Sequence, residues 1–396
     1  MNEDQYLGNL YQRFPVTIEK GLGAHVWDTS NKEYIDCMGG YGVALVGHRN
    51  ERVVNAIKSQ VDKIITVHSS LYSKTREEFL ETLFKTAPKG LTQAHLNNSG
   101  AEAIEAAMKF ARKFTGKKGM VAMNGSYHGK SMGALSITFN PKYRKSFQPL
   151  VDKVSFSSFG DIESLRSTID DDTAFVVLEP IQGESGIHVA PNGFLQDVRK
   201  LCDEKGILLI FDEIQSGLGR TGRMWASEHW NTSPDILCVA KGIAGGVPMG
   251  VTMVRPDILD CISKGEHSST FGGNPLSCAA GIATLQSLTQ DGLIENAESM
   301  GKLFREGLNA LKEKHTIIRE IRGKGLMIGV ELKFEVRDIL MEGIENGLLL
   351  LYSGRNILRL LPPLIISESD IKKSLEILDQ LLTNEEKRRN GKRLNR

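Results

Sequence analysis

Twice in this chain a short run of apolar residues stops at a charged residue. Ile207-Leu-Leu-Ile-Phe leads to Asp212 and Glu213, and Ile236-Leu-Cys-Val-Ala leads to Lys241. Each run is too short for an ordinary helix, so each reads as a strand, and a charge at its end marks where the strand opens onto a cleft. The figure recurs at Met120-Val-Ala-Met123, before Asn124-Gly-Ser-Tyr127-His128-Gly129-Lys130, and at Ala174-Phe-Val-Val-Leu, before Glu179-Pro-Ile-Gln182-Gly-Glu184. Helical stretches such as Gly193 to Glu204 separate these runs. The alternation predicts an α/β fold with a mostly parallel sheet flanked by helices. An acid and an amine at two strand ends also suit a plain ion pair capping the strands, so these two residues do not fix a function alone.

With 396 residues the chain has room for a large α/β domain and a smaller one. A net charge of +1 gives no steering toward nucleic acid. The five cysteines, Cys37, Cys202, Cys238, Cys261 and Cys278, are widely spaced with no C-x-x-C, and read as buried thiols in a reducing compartment. No run approaches the roughly 20 apolar residues of a membrane span, and Asn2, Glu3 and Asp4 do not open a signal peptide. A cytoplasmic protein with no membrane partner is the expectation.

Val26-Trp27-Asp28 and Glu33-Tyr34-Ile35-Asp36 read as a hairpin, followed by a glycine-rich bend, Gly39-Gly40-Tyr41-Gly42, suited to a pocket loop or a structural turn. Arg52 to Ile65 has helical apolar spacing. Ser99 and Gly100 open an alanine-rich helix whose first N–H groups suit a phosphate, although on local sequence Ser99 reads first as a plain helix cap. Gly217-Leu-Gly219-Arg-Thr-Gly222 matches the dinucleotide pattern G-x-G-x-x-G, but Asp212 to Ser216 separate it from its strand, which argues against a nucleotide. Beyond Leu311 the expected order is strands at Thr316 to Ile321 and Leu326 to Leu332, a helix at Val336 to Asn346, strands at Leu348 to Tyr352 and Asn356 to Leu361, and a helix at Ser367 to Leu382. The expected division is a large domain at 46–273, a small α+β domain built from 1–45 and 274–384, and a basic tail at 385–396.

An acid that holds a pyridine nitrogen protonated and a lysine that forms an imine are the two groups pyridoxal phosphate (PLP) needs. Ser99-Gly100-Ala101-Glu102-Ala103, Tyr127-His128-Gly129, Glu179-Pro-Ile-Gln-Gly-Glu184, Asp212-Glu213-Ile-Gln215-Ser-Gly217, Ala240-Lys241-Gly242, Ser269-Thr270-Phe271-Gly272-Gly273-Asn274-Pro275 and Leu358-Arg359-Leu-Leu-Pro-Pro363 stand in this order. Together they resemble the class III aminotransferases of PLP fold type I, in the branch of acetylornithine, ornithine and carrier-protein–lysine aminotransferases. The resemblance covers about residues 10 to 383. It implies Lys241 as the imine lysine, Asp212 at the pyridinium nitrogen, Gln215 near the ring hydroxyl and Tyr127 stacked on the ring. It gives the phosphate to Ser99, Gly100 and Ala101, with Thr270 reaching the phosphate of a neighbouring subunit in a homodimer.

The implied reaction moves a terminal amino group to 2-oxoglutarate, leaving a semialdehyde and glutamate. Glu184 would mask Arg359 for the amine substrate and release it for the α-carboxylate of glutamate. Lys130 stands where many relatives carry an arginine that grips the substrate's far carboxylate, and lysine offers only a point charge there. Tyr41 would share that task. Ornithine or 4-aminobutyrate transamination, or a PLP aminomutase of the same fold, are the alternatives. Lys387, Arg388, Arg389, Lys392, Arg393 and Arg396, with Lys130, would steer a small acidic carrier protein, unless the tail is an inert solvated end.

Overall fold

A computed structural model describes residues 3–394. Its centre is a seven-stranded sheet that runs, edge to edge, through Gln93–Asn97, Gly250–Val254, Ile236–Val239, Leu208–Asp212, Thr173–Leu178, Gly119–Met123 and Val154–Ser157. Gly250–Val254 alone runs against its neighbours, and the other pairings between adjacent strands are parallel. The five inner strands are buried along their whole length, which is why they read as unbroken apolar runs and not as alternating ones. Helices Gly100–Thr115 and Phe194–Lys205 pack against this sheet, each close to its expected place. In the first, Ala103, Ala106, Ala107 and Ala111 are fully buried. Small side chains there let the helix lie close to the strands, so a larger residue at Ala107 would cost about 1–3 kcal/mol in overpacking.

The parallel arrangement gathers several strand ends at one edge of the sheet. Asp212 closes one strand, and Lys241 and Glu179 follow two others within two residues. The opposed strand contributes its beginning: a Cβ on Gly250 would lie 2.3 Å from the carbonyl oxygen of Ser99. Only glycine lets that strand start against the loop that opens helix Gly100–Thr115.

Two further four-stranded sheets flank this core. The expected hairpin forms, with Val26 opposite Tyr34. The single strand expected at Leu348 to Tyr352 is two. Leu348–Leu349 pairs in parallel with Ile35 and Asp36, whereas Leu351–Ser353 pairs antiparallel with Ile357 to Arg359. The chain changes sheet at Leu350, and the two sheets are thereby joined. The other sheet holds Ile318–Lys324, Met327–Leu332, Ile357–Leu360 and Leu351–Ser353.

The basic end is not set apart as a tail. Helix Glu368–Leu394 runs through it. Arg388 pairs with Glu342 at 2.7 Å and with Glu385 at 3.0 Å, and Arg389 pairs with Glu385 at 2.6 Å while its guanidinium covers the Phe334 ring. Intramolecular carboxylates therefore take two of the charges expected to steer a partner. Lys392, Arg393 and Arg396 lie outside the residues whose side chains are described. The stretch Gly217 to Gly222 is buried throughout, and Arg220 there donates to the backbone oxygens of Leu326 and Pro362. The stretch thus serves to pack these segments together.

Candidate active site

Asp212 ends its strand 4 % exposed, and a buried carboxylate must be hydrogen-bonded to remain charged. Its Oδ1 accepts the Ile214 N–H at 3.0 Å, and its Oδ2 lies 2.8 Å from Nδ1 of His128. His128 is itself buried, and its Nε2 has no partner. Lys241 follows the neighbouring strand with φ +48°, a left-handed conformation that costs a non-glycine residue about 1–2 kcal/mol. Surrounding structure holds it there. Burial lowers the Lys241 pKa from the usual lysine range, while Glu184 and Asp212 pull it back up. Two carboxylates therefore act electrostatically on one amine.

Ser99 caps helix Gly100–Thr115: its Oγ accepts the Glu102 N–H at 3.3 Å, and the Glu102 carboxylate returns to the Asn98 N–H at 2.8 Å. First-turn N–H groups have no partner inside a helix, so those of Gly100 and Ala101 are free for an anion. Three loops meet at this point. A Cβ on Gly100 would lie 2.8 Å from Ile214, and one on Gly129 would lie 3.0 Å from Ala101. The anion cradle is thereby seated beside Asp212 on one side and the Tyr127 loop on the other.

Arg359 is wholly buried, with Nη1 donating to Glu184 Oε1 at 2.6 Å and to the Gly183 carbonyl at 3.1 Å. Its Nε and Nη2 are buried without partners. For Glu184, burial works upward, but Arg359 outweighs it and holds the carboxyl below its ordinary range. Gln215 packs on the same loop, so closely that a Cβ on Gly183 would reach its Oε1 at 2.2 Å, and that oxygen also lacks a partner. Tyr41 rides on a left-handed turn, Gly39 to Gly42, with its ring 5.6 Å from the Arg359 guanidinium. Gly39 must be glycine, because a Cβ there would meet the Leu361 carbonyl at 2.4 Å.

Tyr127 is half-buried, and burial, then Glu184, pushes its hydroxyl up to about 12. It stands edge-on to Tyr143, with ring centres 5.9 Å apart. Lys130 is exposed and lies 5.1 Å over that same Tyr143 ring, so it borders the mouth of the site and not its floor. Thr270 is exposed, and its neighbour Ser269 accepts from Asn98 at 3.2 Å. The structure thus gathers Lys241, Asp212, Glu184, Arg359, Gln215, Tyr127 and Tyr41, seats Ser99 to Ala101 beside them, and leaves Thr270 outside.

Glu179 is a supporting residue that the sequence showed without assigning. One oxygen accepts the Tyr127 N–H at 3.0 Å and the other the Gly183 N–H at 2.9 Å, so it ties the two loops together. Burial pushes it up to about 7, with His128 acting downward and Asp212 upward. Its place at a strand end was the available signal. Tyr143 carried none, because nothing local distinguishes it from a surface tyrosine.

This set fits a phosphorylated pyridine aldehyde: a free amine, a buried acid with an aligned imidazole, unpartnered polar atoms on His128 and Gln215, and a helix start for the phosphate. A family model, "Aminotransferase class-III", matches residues 6–382. The acetylornithine aminotransferase of Methanopyrus kandleri is 44% identical over 382 residues, 96% of this chain and 97% of that protein. The [LysW]-aminoadipate semialdehyde transaminase of Deinococcus radiodurans is 42% identical over 386 residues, 96% of this chain and 89% of that protein. Among solved structures, the ornithine aminotransferase of Toxoplasma gondii, with PLP partly occupying its active site, superposes with a TM-score of 0.94 at 32% identity, covering 98% of this chain and 94% of that one. The seven-stranded fold, the lysine amine within electrostatic reach of a buried acid, and full-length similarity agree: the chain belongs to the class-III aminotransferases and is a PLP-dependent transaminase.

Proposed function

We propose that the protein is an ω-aminotransferase that moves the terminal amino group of an α-N-blocked ornithine- or lysine-like substrate to 2-oxoglutarate, giving a semialdehyde and glutamate. The names of the relatives, acetylornithine aminotransferase and [LysW]-aminoadipate semialdehyde transaminase, support this substrate class. The observation that carries the reading is the Arg359–Glu184 pair. A fully buried arginine with two idle donors is costly, and a substrate carboxylate would satisfy what Glu184 leaves unpaired. With Glu184 in place the site accepts a primary amine whose reacting carbon bears no carboxylate. With Glu184 swung aside, Arg359 receives the α-carboxylate of glutamate.

PLP, when bound, supplies an aldehyde carbon that exchanges amino groups and a ring that takes up electrons. Asp212, held by His128, would keep a proton on the ring nitrogen. Lys241 Nζ would serve as the base that moves the proton from the substrate's terminal carbon, a task that the burial lowering its pKa favours. Tyr127 would cover the ring, Gln215 would serve its hydroxyl, and Ser99, Gly100 and Ala101 would hold the phosphate. Tyr41 and Lys130 line the path for the substrate's far carboxylate, and the blocking group on the α-nitrogen lies beyond them.

The functional unit is a homodimer. The segment Ile64 to Tyr72 exposes Ile64, Ile65, Leu71 and Tyr72, and Arg76 ties it to the Thr270 loop by bonds to Gly273 and Val67, beside exposed Phe271. A second copy laid on this apolar surface would bring Thr270 to the partner's phosphate. An acidic carrier protein remains a partner through Lys130 and the basic end of the chain.

A panel of acetylornithine, ornithine, lysine, 4-aminobutyrate and carrier-linked lysine, each with 2-oxoglutarate, tests the substrate. Glu184→Ala tests the gate. It should raise glutamate reactivity relative to acetylornithine, and an unchanged ratio of the two half-reactions would remove the gate.

A further inference from the structure

Glu184 sits on a hairpin, Ile181–Gln182 paired with His188–Val189, that is fixed with unusual completeness. The Ser353 Oγ donates to the carbonyl oxygen of Glu184 itself. Arg322 Nε donates to the carbonyl of Gly186 at 2.7 Å, and Arg322 is in turn held by Glu320 at 2.7 Å and Glu331 at 2.8 Å. The tip lies directly on the sheet beneath it: a Cβ on Gly186 would meet Ile357 at 2.4 Å. Ile187, β-branched and fully buried, is kept at φ +59°, a conformation that persists only when its surroundings impose it. Ser353 and Arg322 both belong to the sheet that also carries Arg359. Gate and gated residue are therefore mounted on one support.

We propose that Ser353 and Arg322 are positioning residues for the Glu184 gate: they pin the hairpin backbone to the sheet carrying Arg359, so the gate opens by rotation of the Glu184 side chain alone. This rests on the gate reading above. With the backbone pinned, the closed pair is pre-organised, and loosening the pin weakens Glu184 against Arg359 without touching either side chain. Releasing one pin should therefore favour the open gate, and with it glutamate over the ω-amine.

The test is single-turnover kinetics of the PLP-loaded enzyme with N-acetylornithine and, separately, with glutamate, read from cofactor absorbance. Ser353→Ala should lower the acetylornithine-to-glutamate rate ratio about fivefold, the weight of one hydrogen bond. Ser353→Thr, which keeps the hydroxyl, should restore the ratio. Arg322→Lys should shift the ratio in the same direction. In a Glu184→Ala background, Ser353→Ala should change the ratio no further, because the side chain it positions is gone. Wild-type ratios in both Ser353→Ala and Arg322→Lys, with Glu184→Ala shifting the ratio, would overturn the proposal and spare the gate. A fivefold loss that persists in the Glu184→Ala background would overturn it too. No shift in Glu184→Ala would instead bring down the gate, and the proposal with it.

Discussion

Asp212 and Lys241 occupy equivalent places at the ends of adjacent strands, yet their surroundings prepare them for opposite tasks. Asp212 is kept in place by an N–H and an imidazole, so it can stabilise positive charge across from it. Lys241 is desolvated, so it yields its proton readily. Lys241→Ala should abolish turnover and the cofactor's near-visible absorbance while the far-ultraviolet circular dichroism stays unchanged. Substantial residual turnover would remove Lys241 from its role. Asp212→Asn should retain cofactor but lose several orders of magnitude in kcat, because an amide cannot hold a pyridinium proton. A near-normal kcat in that variant would refute the assignment.

At the scale of an element, the turn after strand Leu208–Asp212 carries a second buried acid. Glu213 accepts the N–H of Ala226 at 2.5 Å and that of Ser227 at 2.9 Å, and burial pushes it up to about 7. A carboxyl whose folded pKa lies above its unfolded value holds its proton more tightly in the native state. Its contribution is full below about 4.5 and declines as pH rises to about 7, by roughly 3 kcal/mol for a shift of this size. Glu179 titrates in the same window, so the wild type loses stability there through both. Glu213→Gln should remove one share: its Tm relative to wild type should rise steadily between pH 5 and pH 7. A constant Tm difference across that range would mean that Glu213 keeps an ordinary pKa.

For the whole molecule, the exposed Ile64 to Tyr72 segment and the Thr270 loop make assembly and catalysis one question. If Thr270 acts on the other copy as proposed, Tyr72→Asp should weaken self-association in sedimentation and lower cofactor retention together. Dissociation with undiminished retention would separate the two. The basic end of the chain invites the opposite expectation from that of a loose tail. Arg388 and Arg389 are spent on Glu342 and Glu385, so deleting residues 387–396 should lower Tm by a few degrees. The same deletion should leave acetylornithine turnover intact. If the end also steers an acidic carrier, carrier-linked turnover alone should fall with salt, and equal salt sensitivity for both substrates would leave that end a structural role only.

The sheet, the helix opening at Ser99 and the strand-end positions of Asp212, Lys241 and Glu179 were legible in the sequence, because period and apolar run length are local properties of a chain. The order of motifs carried the family as well. What only the tertiary structure decided are relations between distant residues. Arg359 meets Glu184 across a sequence separation of 175, a pairing the family resemblance implied and no local feature showed, and Ser353 reaches the Glu184 backbone across 169. Nothing local separates Glu179, which clamps two loops, from Asp212, which holds His128, since each stands at the end of a buried strand. The single strand expected at Leu348 to Tyr352 became two because its halves pair with different sheets, and the supposed tail became a helix because carboxylates of its own domain claim its arginines. Local sequence sets which elements form, whereas the partner of a buried charge is fixed only when packing excludes water from both.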